Sequence, residues 1–263
     1  MSVNSYLTDL ASDLVLSAAE KASIATSIAT LKTRLDSHFG SQVTGHFQFG
    51  SSTRGTILPR KADNNSDIDY MVVFASSPGS AKKPQTYLTN LKTFVEAKYS
   101  TSERAQSHPT IVLSLNHISF ELVPALSNLF GYQIPSPASS WTEWMSTDPS
   151  RTNKDLQDKN INNNSQIKPL VRLVKYWNAK NAHPFNSFSI EKAIIDTLFY
   201  SCSSLKDYFY HFWSTASYSV DTAQYIKDKV DSAKKHAQKA KEYEDIGLAI
   251  SAELEIKKIV PEL

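Results

Sequence analysis

The stretch Ser66-Asp67-Ile68-Asp69-Tyr70-Met71-Val72-Val73-Phe74 restricts the fold more than any other part of the chain. Side chains alternate between the two faces of a β-strand. Asp67 and Asp69 therefore share one face, while Ile68, Tyr70, Val72 and Phe74 line the other. The apolar set demands a core layer against it, and two carboxylates are left side by side opposite. Neighbouring carboxylates repel one another unless a cation or a basic group lies between them. A hard metal ion answers that need: Mg²⁺ takes oxygen ligands, usually one or two carboxylates with substrate phosphates completing its shell.

Upstream stands Gly50-Ser51-Ser52-Thr53-Arg54-Gly55-Thr56. Gly50 has no side chain to obstruct a phosphate, Ser51 adds a hydroxyl, and successive backbone N–H groups in such a turn form an anion-binding concavity. The pattern is not a P-loop, because no Gly-Lys-Ser/Thr follows, and it is not a Gly-x-Gly-x-x-Gly dinucleotide fingerprint. A third carboxylate, Glu121, sits in Ile118-Ser119-Phe120-Glu121-Leu122-Val123. There Ile118, Phe120 and Leu122 form the buried face, and Glu121 lies opposite with Ser119 and Val123. An acidic residue inside an apolar strand needs a reason. With Glu121 on a strand near Asp67 and Asp69, three carboxylates suffice for a two-metal site. The plainer alternative is a solvent-facing Asp pair and a solvent-facing Glu. Asp63, Asn65 and Asp67 have the opening spacing of an EF-hand loop, but Ile68 replaces its glycine and Phe74 its closing glutamate, so that reading fails.

Bulk properties narrow the class. At 263 residues the chain is long enough for one large domain or two packed lobes. Its 41% hydrophobic and 21% charged residues describe an ordinary soluble globular protein. A net charge of +2 does not by itself point to nucleic acid. The single cysteine, Cys202, excludes an internal disulfide and a multi-cysteine zinc site. The N-terminus shows no signal peptide, and no apolar run approaches the roughly 20 residues of a membrane span. The expectation is a cytoplasmic protein with no membrane association.

Along the chain, Ser17 and Glu20 have capping-box spacing. Ile24, Ile28, Leu31, Leu35 and Phe39 then recur at helical intervals up to Gly40, predicting a helix over 17–39. Strands are expected at 43–49 and 67–74, a turn at 76–79, and a helix over 85–99. A hairpin should join 110–115 to 118–123 through Asn116-His117, with Pro124 as its end. Residues 131–140 suggest a loop between lobes, and everything after about 152 reads as helical, in at least four segments. The fold class is α+β: a catalytic lobe over 1–150 with a mixed sheet and helices, then a helical lobe over 151–263, with a cleft between them.

The ordered set Gly50-Ser51, Asp67-x-Asp69 and Glu121 resembles the polymerase-beta-like nucleotidyltransferase superfamily. Three further features resemble its bacterial cGAS/DncV-like branch, the CD-NTases: the extended turn through Thr56, the string Phe120-Glu121-Leu122-Val123-Pro124-Ala125, and the helix Leu170 to Trp177; Phe185-Asn186-Ser187-Phe188-Ser189-Ile190-Glu191 then resembles that branch's next helix start. The resemblance implies an enzyme that joins nucleoside triphosphates into a cyclic di- or trinucleotide second messenger and releases pyrophosphate. In bacteria such signals activate a product-binding effector protein in anti-phage defence. It implies that Asp67, Asp69 and Glu121 hold two Mg²⁺ ions, with Mn²⁺ as a substitute, and that Gly50 and Ser51 cradle the triphosphate. It matches Lys175 and Ser187 to phosphate contacts and Phe188 to an aromatic that stacks on a base. Many members carry aspartate where Glu121 stands, and the extra methylene alters the reach of the carboxylate.

Each of the last three residues also has a plainer reading: Lys175 as a solvated lysine, Ser187 as a helix cap, Phe188 as core. The lysines of residues 227–241 read as a solvated helix face diluted by Asp228, Asp231 and Glu242. His46 and His117 lie near the presumed site without an assigned role, and Trp141 and Trp144 read as packing residues. Two rival functions stay open: transfer to an RNA end or a protein side chain, and an inactive nucleotide-binding scaffold. Nothing in the residues indicates a nucleic-acid or regulatory-protein partner.

Overall fold

A computed structural model describes residues 2–76, 81–99, 103–107, 109–138 and 142–263. The expected turn beyond Ser76 and Trp141 lie outside the described residues. The chain forms two compact units: Ser17–Arg60 with Asn65–Asn153, and Met1–Leu16 with Lys61–Asn64 and Lys154–Leu263. The division is not a single cut near residue 150. An N-terminal helix, α1 (Val3–Asp13), belongs with the C-terminal helices.

In the first unit α2 (Ala18–Phe39) starts on the expected capping box. Glu20 N donates to Ser17 Oγ (3.2 Å) and Ser17 N donates to Glu20 Oε2 (2.8 Å). Gly40 ends the helix at φ 50°, a conformation that favours glycine. The sheet comprises β1 (Val43–Gln48), β2 (Asp67–Phe74), β3 (Glu103–Ser107), β4 (Thr110–Ser114), β5 (Ser119–Asn128), β6 (Gly131–Pro135) and β7 (Trp144–Thr147). The order runs β1-β2-β5-β4-β3, with β6 on β5 and β7 on β6. Only the β2–β5 pair is parallel among these ladders, so the sheet is mixed. A one-turn helix, α3 (Ser51–Arg54), follows β1, and α4 (Pro84–Lys98) follows β2.

One face of the sheet is the core. Ile68, Tyr70, Val72, Phe74, Leu113, Phe120 and Leu122 are buried there. Phe39 of α2 meets Phe74 edge-on (5.3 Å between ring centroids), and Tyr87 of α4 packs on Phe74 at 5.1 Å. The other face is graded along the strands. Met71, Val73 and Ala125 pack with Phe47, Phe49, Tyr132 and Ile134, whereas the leading end of β2 carries Asp67 and Asp69.

Two local expectations change. Pro124 does not end its strand: β5 continues to Asn128. The ladder to β4 stops at Leu122 and the ladder to β6 starts at Leu126. Pro124 thus falls in the gap between two antiparallel partners, where a missing N–H costs least. Residues 131–140 are not simply a loop, because β6 pairs antiparallel with β7 from Tyr132↔Thr147 to Pro135↔Trp144.

The second unit contains the remainder of α5 (Pro149–Ile161), then α6 (Ile167–Lys180), α7 (Ser187–Asp196), α8 (Leu205–Thr215), α9 (Gln224–Asp245) and α10 (Ala249–Lys257). Helix α6 is its axis, buried at Leu170, Val171, Leu173, Val174, Tyr176 and Trp177. Helix α1 packs on α6, α8 and α10. Arg172 Nε donates to Ala11 O (3.0 Å), and Tyr6 OH donates to Val260 O (2.6 Å).

The stretch Val3–Gln42 contains an 18-residue window of mean hydropathy 1.2, which by length and composition alone meets the requirement of a membrane span. It is more apolar than the sequence reading allowed. It is two helices rather than one, broken between Asp13 and Ala18, and Ile24, Leu31, Leu35 and Phe39 of the second are buried.

Candidate active site

Parallel pairing of β2 with β5 aligns Asp69 with Glu121 and Asp67 with Ser119. Adjacent strands lie about 4.8 Å apart, so the Asp69 and Glu121 carboxylates project side by side from one face. All three acidic side chains are half-buried. Burial, and then the Asp69 charge, push the Glu121 carboxyl above its ordinary range; a hydrogen bond from the Thr110 hydroxyl partly offsets this. Thr110 is itself buried on β4. Nothing in the sequence marked it, because its role depends on the β4–β5 register, which pairs Val112 with Glu121.

Gly50 closes the site from the β1 side. It sits at φ 73°, ψ −153° as the cap of α3, and Gly55 ends that helix in the left-handed region at φ 72°. An added Cβ at Gly50 would lie 1.8 Å from Asp69 Oδ2, so the glycine is required by space as well as by backbone conformation. Phe49 N donates to Asp69 O (3.0 Å), tying the turn to β2. Within the turn Thr53 Oγ1 donates to Gly50 O (2.9 Å) and Ser52 Oγ to Phe49 O (3.1 Å). Ser51 opens α3, which has no side-chain cap; the leading N–H groups of a helix lie outside its own ladder and favour an anion.

The donor set here is oxygen only, which fits Mg²⁺ or Mn²⁺ and not a thiolate or imidazole metal. Among the described residues no three His, Cys, Asp or Glu side chains form a ready cage for an ion. Mg²⁺ seldom uses such a cage; it is held by one or two carboxylates and by substrate phosphates. The close pair Asp69–Glu121, with its mutual repulsion, has the character of that partial site.

The other three candidates lie in the helical unit. Lys175 is not a solvated lysine. It is 6% exposed, with Nζ 3.6 Å from Oε1 of Glu191, which is 1% exposed. Glu191 ends the string that resembles the family's next helix start, but its pairing with Lys175 is visible only in the α6–α7 contact. Ser187 does not cap α7: Asn186 does, its Oδ1 accepting from Phe188 N (2.8 Å) and Ser189 N (3.4 Å). Phe188 is not core, being 50% exposed. The loop before α7 is fixed by buried Asn178, which donates to Phe185 O (2.8 Å) and accepts from Phe185 N (3.0 Å).

The histidines are turned away from the carboxylates. His46 Nδ1 meets the Tyr70 hydroxyl at 2.9 Å and Nε2 meets Asp36 at 2.8 Å, on the core face of the sheet. His117 Nε2 lies 3.1 Å from Ser27 Oγ of α2. Trp144 Nε1 donates to Lys82 O (3.2 Å).

A family model described as "Second Messenger Oligonucleotide or Dinucleotide Synthetase domain" (SMODS) matches residues 1–160. A probable cyclic nucleotide synthase of Bacillus cereus (strain VD146) is 27% identical over 194 residues, which is 60% of this chain and 56% of that protein. The chain thus aligns with little more than half the length of that relative. The fold is similar to CdnC of E. coli MS115-1, solved with ATP (TM-score 0.74, 15% identity, 100% of this chain and 98% of that one). It is also similar to the Bradyrhizobium diazoefficiens CD-NTase CdnG, in complex with GTP (TM-score 0.73, 10% identity, 98% of each chain).

Proposed function

The chain belongs to the SMODS family of second messenger oligonucleotide or dinucleotide synthetase domains, and on that premise we propose that it is a nucleotidyltransferase joining nucleoside triphosphates into a cyclic di- or trinucleotide with release of pyrophosphate. The observation that carries the proposal is the pairing of Asp69 with Glu121 across β2 and β5, with Gly50 pressed against Asp69. Asp67, Asp69 and Glu121 would hold Mg²⁺ or Mn²⁺. When bound, the ions lower the pKa of an attacking hydroxyl and neutralise charge on the leaving pyrophosphate. The protein's own part is to position the groups and supply charge. Asp67 and Asp69 would bring their carboxylates beside the reacting phosphate. Thr110 orients Glu121, and Gly50 with the N–H groups of Ser51 and its neighbours receives the triphosphate.

Lys175, Ser187 and Phe188 are proposed nucleotide contacts of the helical unit. Glu191 holds Lys175 in place, so a phosphate would share that lysine with it. The ATP and GTP held by CdnC and CdnG support nucleoside triphosphates as substrates here. A product-binding effector and a part in anti-phage signalling are proposed from the family resemblance, and a cytoplasmic location is proposed with them.

The test is to incubate the purified protein with Mg²⁺ and each mixture of the four NTPs, then identify phosphatase-resistant products by mass. A cyclic oligonucleotide is expected. A labelled RNA or protein in place of it would transfer the chemistry to another acceptor, and absence of turnover under every mixture would overturn the proposal.

A further inference from the structure

The lysine-rich helix α9 is not uniformly solvated. Lys227 donates to Val220 O (2.7 Å), Lys229 to Asn181 O (2.5 Å) and Lys234 to Ala216 O (2.9 Å), so these three tie neighbouring loops to the helix. Lys241 has no such duty: among the described residues it makes no hydrogen bond or ion pair. It lines a cavity of about 560 Å³ between α8, α9 and the loop at residues 200–202. That volume falls in the range of about 300–1,000 Å³ typical of small-molecule sites.

The two helices run antiparallel, with Lys206 of α8 meeting Glu244 of α9 at one end (3.0 Å) and Lys234 reaching Ala216 at the other. The wall from α9 presents Lys234, Gln238 and Lys241, spaced i, i+4, i+7 and therefore on one helical face. At about 1.5 Å rise per residue the two lysines stand roughly 10 Å apart. The rest of the lining includes two aromatic rings, Tyr200 and His211 of α8, which meet edge-on (6.5 Å between centroids, 62° between planes), and Tyr200 is 67% exposed. The acidic lining residue, Asp207, is committed elsewhere. Its Oδ2 accepts from the backbone N–H groups and hydroxyls of Ser203 and Ser204 at 2.8–3.0 Å.

A flat ring on Tyr200 and an anion on a lysine are together what this cavity satisfies. A nucleoside phosphate has both: bases stack on exposed aromatic side chains, and phosphates accept charge-assisted hydrogen bonds from lysine. We propose that the cavity between α8 and α9 is a nucleotide-binding site separate from the carboxylate site on the sheet, with the base on the exposed ring of Tyr200 and the phosphate on Lys241 or Lys234.

Hydrogen–deuterium exchange on the full chain reads the two sites separately. AMP, ATP and the phosphatase-resistant product are added in turn to the wild type and to the Asp67→Asn/Asp69→Asn double variant. Protection of the peptides covering residues 200–214 and 234–241 is expected with at least one of the three in both proteins. Lys241→Glu or Tyr200→Ala, both at exposed positions that leave the melting temperature unchanged, should weaken that protection at least about tenfold in ligand concentration. No protection by any of the three nucleotides overturns the proposal, as does protection that survives both substitutions. Protection retained in the double aspartate variant separates this outcome from a failure of the proposed catalytic site.

Discussion

Gly50, in the turn after β1, and Asp69 of β2 are in steric contact, so closely that a Cβ on the first would overlap a carboxylate oxygen of the second at 1.8 Å. The contact makes one backbone position in the turn and one carboxylate a single unit. Gly50→Ala therefore has two costs, a strained φ of 73° and a displaced Asp69. The expected outcome is a loss of at least about 100-fold in nucleotidyl transfer, with a stability cost of about 1–3 kcal/mol. Steady-state kinetics and a thermal melt check both. Wild-type activity in Gly50→Ala would show that Asp69 is not held where the reaction needs it.

Burial and the Asp69 charge raise the Glu121 carboxyl in the metal-free protein. A carboxyl whose folded pKa lies above its unfolded value favours folding at low pH, and that contribution disappears as pH rises through the folded pKa. Glu121→Gln removes the penalty. In EDTA at pH 7 it should raise Tm by on the order of 2 °C, with the advantage shrinking as pH is lowered toward 5. Differential scanning calorimetry over that pH window measures it, alongside loss of turnover in Mg²⁺.

Lys175 and Glu191 form a buried pair between α6 and α7. Removing one partner of such a pair leaves an uncompensated buried charge, whereas replacing both with apolar groups is often neutral. Glu191→Leu alone should destabilise by about 3 kcal/mol. Lys175→Met/Glu191→Leu should recover most of that stability while remaining inactive. Urea denaturation of the two single variants and the double variant gives the coupling.

Asn186, and not Ser187, caps α7. Asn186→Ala should cost about 1 kcal/mol of stability. Ser187→Ala should leave stability within about 0.5 kcal/mol and raise KM for the nucleoside triphosphate if its hydroxyl meets the phosphates. Melting curves and KM together separate the two residues.

Period-two alternation made Asp67, Asp69 and Glu121 legible as strand residues facing away from an apolar side, and the Ser17–Glu20 capping box gave the start of α2 to the residue. What alternation does not carry is neighbourhood. Asp69 meets Glu121 because β5 returns parallel beside β2 after α4, β3 and β4, a pairing set by long-range packing. The same holds for Thr110 and Glu191, whose partners lie on other elements. Pro124 misled because proline usually ends a strand, and its tolerance depends on where two neighbouring ladders stop. The β6–β7 hairpin was hidden by Pro135 and Pro137, which suggest a loop although Pro135 only closes β6. Helix α1 has a clear start, Ser2 capping with Ser5, but its apolar face (Val3, Tyr6, Leu7, Leu10) acquires meaning only against α6, α8 and α10.

On the proposed function, the carboxylates of β2 bring about transfer of a nucleoside monophosphate. Pyrophosphate release from NTPs in Mg²⁺, compared between the wild type and Asp67→Asn/Asp69→Asn, tests it most directly. The account predicts release in the wild type that EDTA abolishes, and none above background in a double variant with an unchanged circular dichroism spectrum. A folded double variant that releases pyrophosphate at the wild-type rate would contradict it.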